Sequence, residues 1–438
     1  MSHHHVTSAD IAINGDHLDA SKVSKVKTIA LAVAAIGTII SVLALFGVLG
    51  PKIQGTYAYS WMFAYYFFLT LSIGGVFWTL LHNVSNSGWG TSVRRTFENL
   101  GSTFPWMFLF GLPFVFPQVQ QYLFEWMNIH RGAHGGDVKE HLHHVDHLLY
   151  NKHWYMNIPF WYFRFAFFFV GLSSVIFFLR KLSTSQDTDP NPGTARLLKA
   201  RYHSNYPLII FALTITFTGF DFLMGQDYKW FSTMWGVYLF AGTALNSMAV
   251  IVLVCTFLKS QGHLKHVVTP EHFHIMGKLM FAFTTFWAYI AFSQYFLIWY
   301  ANIAEETSYF AIRNTGNWNI GMLFLVFGHF VVPFIVLLQA WLKKNPKMLS
   351  IVAVYTLCMH ALDHYLITIP ERGISLGHIK PEVFGAIQVS IPGAFWGDIF
   401  AFVTIGSGFI FFLLRALGQH SLYPNRDPRI LESANLSN

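Results

Sequence analysis

The stretch Thr218-Gly219-Phe220-Asp221-Phe222-Leu223-Met224-Gly225-Gln226-Asp227-Tyr228-Lys229-Trp230-Phe231-Ser232-Thr233-Met234-Trp235-Gly236-Val237-Tyr238 joins two long apolar runs through a short polar turn. Asp221 stands inside the end of the first run, Asp227 and Lys229 stand in the turn, and Trp230 and Trp235 open the second run. A carboxylate that far into a membrane helix costs at least about 2.5 kcal/mol unless something pairs or hydrates it. The hairpin is therefore both the sign of the fold class and the first place to look for function.

The composition agrees with a hairpin in lipid. Of 438 residues, 54% are hydrophobic and only 11% charged, where a soluble globular chain carries about 25% charge. Aromatics reach 18%, which suits a multi-span bundle with interfacial belts. About ten runs reach the ~20 apolar residues that a bilayer crossing needs: 28–49, 57–81, 103–123, 157–180, 207–225, 232–258, 276–300, 318–342, 347–368 and 392–416. The reading is an all-α integral membrane protein with a polar N-terminal tail (1–27), a ten-helix membrane domain (28–416) and a polar, poorly ordered C-terminal tail (417–438).

Ten crossings put both termini on one side. Loops and tails on that side carry about eighteen Lys and Arg against about eight on the other, so both termini are expected in the cytoplasm and the 218–238 hairpin outside. The net charge of +7 then reflects topology rather than a nucleic-acid partner. Residues 124–156, between the third and fourth runs, form an outer loop with His130, His134, His141, His143, His144, His147 and His153. Nothing in the spacing makes these converge as zinc ligands must, so the loop reads as a polar docking segment. Residues 181–206 read as a cytoplasmic linker with a turn at Asp189-Pro190-Asn191-Pro192-Gly193. Cys255 and Cys358 lie in apolar runs and read as small buried hydrophobes. No haem-attachment or iron–sulfur pattern of cysteines is present, and no metal site is expected.

Several ionisable groups fall at membrane depth, where function and structural pairing are the competing readings. Asp221 follows Pro207 by about 14 residues, ~21 Å along a helix, which places it in the outer half. His360, Asp363 and His364 sit at i, i+3 and i+4 on one helix face. A carboxylate beside imidazoles makes a sensible proton relay, with an interhelical hydrogen bond as the structural alternative. His329 stands near the middle of the eighth run. A bis-His haem could use His329 and His360 on depth alone, but nothing in the spacing selects it. Arg164 and Asp398 read as partners of neighbours, and His82 and Glu98 could line an access path. At the outer end of the seventh run, Asp227, Glu305, Glu306 and Arg313 would share one face with the hairpin in a compact bundle. No group is expected to be catalytic in its own right. Gly74-Gly75, and Gly111 with Pro113 and Pro117, could break the second and third runs.

Two stretches carry a resemblance: Gly219-Phe220-Asp221 running on to Trp230-Phe231-Ser232-Thr233-Met234, and Ser293-Gln294-Tyr295-Phe296-Leu297-Ile298-Trp299-Tyr300-Ala301-Asn302-Ile303 followed by Glu305-Glu306-Thr307. Here the chain resembles the ActF-type subunits of bacterial alternative complex III, a quinol:cytochrome c oxidoreductase, and through them the NrfD/PsrC-like membrane family. The likeness covers all ten runs but not residues 124–156 or the tails. It implies two four-helix bundles, spans 2–5 and 6–9, flanked by spans 1 and 10, in a bacterial inner membrane. It implies as partners a multihaem cytochrome c, an iron–sulfur protein, the sister subunit ActC, small membrane subunits and a terminal oxidase. Haem and iron–sulfur clusters would then sit in those partners. ActC would be the better candidate for the main quinol-oxidising site. This chain would supply a proton path or a secondary site for menaquinone or ubiquinone, with Asp221, His329, His360, Asp363 and His364 as its groups. A proton-coupled secondary transporter and a purely structural scaffold are the competing functions.

Overall fold

A computed structural model describes residues 5–12, 14–133, 137–316, 318–376 and 394–437, with Glu305 described in its backbone alone. Among these residues nine helices are long and apolar enough to cross a membrane: Ala20–Leu45, Pro51–Ser85, Ile158–Ser185, Pro207–Gln226, Trp235–Ser260, Pro270–Ala301, Trp318–Leu338, Pro346–Ser375 and Ala394–Leu417. A tenth span is a broken one, Arg94–Val115 followed by Pro117–Leu123, bent by 84°. Counted in chain order with the broken helix third, these are spans 1 to 10. No strand occurs among the described residues. The chain is an all-α, multi-pass membrane protein.

Span 2 is the axis. Its most apolar window is 94% buried, against 28% for that of span 8, so span 8 meets the surroundings and span 2 meets protein. Spans 3, 5, 6, 9 and 10 all pack on it. Gly74 and Gly75 do not break span 2, as the sequence suggested they could. They make a seam. A Cβ on Gly75 would lie 2.3 Å from the backbone nitrogen of Gly101 in span 3, and one on Gly74 would lie 2.2 Å from Ser247 Oγ in span 6. The bare backbones let three helices close on one another.

The break in span 3 falls where proline demands it. Phe116 is extended, with φ −92° and ψ 132°, as the residue before Pro117 must be. In lipid the freed carbonyls still need donors. Gln120 Nε2 donates to the Phe114 carbonyl at 2.8 Å and the Tyr162 hydroxyl to that of Val115 at 2.8 Å. The span also starts at Arg94 rather than 103, because a polar first turn is buried under the tails instead of lying in water.

Those tails are not the loose ends their polar composition suggested. Val6, Ile11, Leu18, Leu422, Tyr423 and Ile430 are buried. The Val6 amide donates to Asn435 Oδ1 at 2.8 Å and the Leu422 amide to the Asp16 carbonyl at 2.7 Å. The Asp16 carboxylate meets His263 Nδ1 at 2.6 Å, and Arg94 bridges Asp427 at 3.0 Å and Glu98 at 2.9 Å. Both tails thus clasp one end of the helix array, here the terminal face. The opposite end, with the 218–238 turn, is the hairpin face.

The loop 124–156 folds as three short helices, Glu125–Arg131, Val138–Val145 and His147–Lys152. His130 Nε2 lies 3.3 Å from His153 Nδ1. No three of the described loop histidines gather as a metal set; His134 lies outside the described residues, as do His3, His4 and Lys380. Cys255 is buried as expected, whereas Cys358 is exposed on the outer surface of span 9.

Candidate functional site

The buried polar groups fall into two layers. The first lies near mid-membrane. His360, Asp363 and His364 stand about halfway along the 30-residue span 9, because that helix runs on to Ser375 and not to 368. His364 Nε2 is 3.2 Å from His360 Nε2, and Thr70 Oγ1 of span 2 is 3.2 Å from the same His360 atom. Asp363 accepts hydrogen bonds from the Tyr238 hydroxyl on Oδ1 and from Trp287 Nε1, at 3.3 Å, on Oδ2. His329 lies against Trp287 with ring centroids 4.0 Å apart and the planes tilted by 33°. Its ring belongs to a π-helical turn, Val326–Val331, inside span 8; such turns shift a side chain out of the regular helical register and recur at functional sites. Gly242 in span 6 makes room, since a Cβ there would stand 3.2 Å from His360 Cε1.

His329, His360, Asp363 and His364 are each at most 3% exposed. Both ring nitrogens of His329, and Nδ1 of His360 and of His364, have no hydrogen-bond partner among the described residues. A buried polar atom left unpaired costs about 1–3 kcal/mol, so four such atoms on three neighbouring imidazoles are a concentrated expense and point to use. His329, His360 and Asp363 bring one donor atom each within 4.8 Å of one another. Both Asp363 oxygens, however, already accept protein donors. The group is a hydrogen-bonding cluster whose open valences are imidazole nitrogens.

The second layer lies at the hairpin face and consists of ion pairs. Arg164 Nε donates to Asp221 Oδ2 at 2.8 Å and Nη2 to Oδ1 at 2.7 Å, while the Tyr155 hydroxyl donates to Oδ1 at 3.1 Å. The guanidinium also donates to the Tyr155 carbonyl at 2.8 Å and lies 3.9 Å from that residue's ring centroid. Arg313 repeats the arrangement in the other half. It pairs with Glu371 at 3.0 Å, donates to the Tyr309 carbonyl at 2.9 Å and lies 3.4 Å from the Tyr309 ring centroid. Arg313 also donates to the carbonyls of Leu366 at 2.8 Å and Ile367 at 2.6 Å. Pro370 explains one of these contacts: it has no N–H to give Leu366 four residues back, and the guanidinium supplies the donor. A third pair joins Arg372 to Asp398 at 2.7 Å, with Ser60 and Tyr365 donating to the same carboxylate.

The structure therefore separates Asp221 from His329, His360, Asp363 and His364, which the resemblance had grouped as one proton path or quinone site. Asp221 is held by Arg164 and Tyr155, and its hydrogen bonds do not reach Asp363 or His364. Arg164 and Asp398 are paired, as their burial requires. Asp227 caps its own turn by accepting from the Lys229 amide at 3.1 Å. Glu306 is half-buried and enters no ion pair among the described residues; the Glu305 side chain lies outside them. The turn and the 304–313 helix do meet, through Trp230 stacked on Tyr309 at 4.1 Å. On the terminal face Glu98 is tied to Arg94 and Arg95, and His82 Nδ1 bonds Ser87 Oγ at 2.7 Å. Sequence reading missed Tyr238, Trp287 and Thr70, which look like ordinary core residues of apolar helices. It also missed Glu371, which lies past the expected end of span 9. The chain matches no protein-family model and no curated protein sequence.

Proposed function

We propose that the chain is a membrane subunit of a respiratory quinol:cytochrome c oxidoreductase of the alternative complex III type, ActF-like, in a bacterial inner membrane with both termini cytoplasmic. In this reading its partners carry the haem and iron–sulfur groups, and spans 2–5 and 6–9 are its two bundles. Its own part is to move protons when quinol is oxidised. The observation that carries the proposal is the mid-membrane cluster: His329 and His360 beside the Asp363 carboxylate and His364 against His360, all three imidazoles with unpaired nitrogens, where lipid would otherwise exclude such groups. An imidazole takes a proton on one nitrogen and releases one from the other. The His360–His364 contact, nitrogen to nitrogen, suits such a hand-over, and Asp363 can hold the positive charge in place. Quinol oxidation releases two protons with each pair of electrons, so a metal-free subunit with such a chain has work to do beside a redox partner.

A secondary transporter is the rival reading, favoured by the bend in span 3, since transporters use discontinuous helices. Yet the break lies at the Pro117 end of its span, and its freed carbonyls are closed by Gln120 and Tyr162 rather than left to face a substrate. The test is gentle purification through this chain, with a visible spectrum and a quinol:cytochrome c assay of what accompanies it. Haem c absorbance with activity supports the proposal. A colourless chain that moves a solute into vesicles overturns it.

A further inference from the structure

A cavity of about 260 Å³ opens on the hairpin face between the 124–156 segment and span 5. Its walls include Trp126, Lys152, Arg164, Phe217, Phe220 and Trp230. Trp126 and Trp230 are each only 2% exposed, and the indole N–H of each has no hydrogen-bond partner among the described residues. Buried indole N–H groups ordinarily find an acceptor, so two of them on one cavity mark a place for acceptor oxygens. Gly225, also in the wall, lies beside Trp126 Nε1: a Cβ there would stand 3.8 Å from it.

The charges are equally specific. Arg164 is satisfied by Asp221 and Tyr155. Lys152 is half-buried and donates to the Tyr228 carbonyl at 2.7 Å, but it forms no ion pair among the described residues. Burial pulls its ammonium below the ordinary lysine range, against the opposite pull of Asp227 and Asp146. An ammonium with spare donors beside an uncovered apolar wall is complementary to an anion joined to a hydrocarbon. The rim carries Trp154 and Phe231, which are 77% and 50% exposed, the aromatic edge expected where a membrane meets water.

We propose that this cavity binds one anionic glycerophospholipid of the adjacent leaflet. Its phosphate meets Lys152, its ester carbonyls accept from Trp126 and Trp230, and one acyl chain leaves along Phe217 and Phe220. The site is independent of the mid-membrane cluster and of the role proposed for it.

The full-length chain, delipidated stepwise in mild detergent, is titrated with phosphatidylglycerol or phosphatidylcholine of the same acyl chains and followed by native mass spectrometry. One phosphatidylglycerol should be retained about tenfold more tightly than phosphatidylcholine, because both offer the phosphodiester but the choline ammonium brings a like charge against Lys152. Lys152→Gln should abolish that preference and Lys152→Arg should keep it. Trp126→Phe, which removes the N–H and keeps an aromatic ring, should weaken both lipids. Equal retention of the two lipids by the native chain, or an undiminished preference in Lys152→Gln, would overturn the proposal. So would a quinone that displaces phosphatidylglycerol from this site.

Discussion

Arg164 and Arg313 hold comparable places in the two halves of the membrane array. Each lies on its own tyrosine's ring, donates to that tyrosine's carbonyl and grips a carboxylate near the hairpin face, Asp221 of span 5 for Arg164 and Glu371 of span 9 for Arg313. The halves differ around that shared device. Arg164–Asp221 borders a cavity, and the same helix carries no ionisable group deeper in span 5. Arg313–Glu371 instead caps span 9, whose mid-membrane stretch bears His360, Asp363 and His364. An ion pair at a helix end thus does not by itself mark a proton path. What distinguishes the second half is the set of unpaired imidazoles below the pair, while the first half keeps its opening at the surface.

The comparison can be broken by mutation. Arg313→Met should cause the greater damage. It leaves Glu371 unpaired, which costs about 3–5 kcal/mol, and strips donors from three carbonyls, those of Tyr309, Leu366 and Ile367, at about 1–3 kcal/mol each. Arg164→Met leaves only Asp221 and the Tyr155 carbonyl, so thermal unfolding in detergent should rank Arg313→Met below Arg164→Met. Equal melting temperatures would mean that the carbonyl contacts of Arg313 contribute nothing. Pro370→Ala sharpens the point. By restoring an N–H for Leu366, it should recover about 1 kcal/mol of the Arg313→Met loss in a double-mutant cycle, and strict additivity would remove the reason given for that contact.

Gly75→Ala tests the seam that both halves share. The new methyl meets Gly101 backbone, which cannot swing away, so a loss of about 1–3 kcal/mol is expected; a neutral result would show that spans 2 and 3 can part. The smallest effect concerns the cap over the first half. Burial, assisted by neighbouring His153, holds His130 below its ordinary value of 6.5. The folded segment therefore favours the neutral ring. Its contribution is present above the unfolded value and is lost as pH falls through the folded one. Proteolytic cleavage within 124–156 should rise as the pH falls below the ordinary histidine value of 6.5, and His130→Gln should flatten that dependence.

Much of this was legible in the residues. Apolar runs near bilayer length mark the spans, and the i, i+3, i+4 spacing puts His360, Asp363 and His364 on one face. Other features could not be read because they depend on partners distant in sequence. A polar tail reads as solvated until Asp16 is seen under His263 and Arg94 under Asp427. The ninth run reads as ending at 368, whereas the helix passes Pro370 with Arg313 serving the carbonyl that this proline orphans. Asp221 and Asp363 are indistinguishable as single acids in apolar runs. Only the arginine that reaches one, and the hydroxyl and indole that reach the other, tell them apart.

The most direct test compares those two acids in the purified complex. Asp221→Asn should lower thermal stability and leave quinol-dependent proton release per electron unchanged. Asp363→Asn should preserve assembly and lower proton-coupled turnover at least tenfold. Unchanged turnover and proton yield in Asp363→Asn, with the complex intact, would contradict a proton role for the mid-membrane cluster.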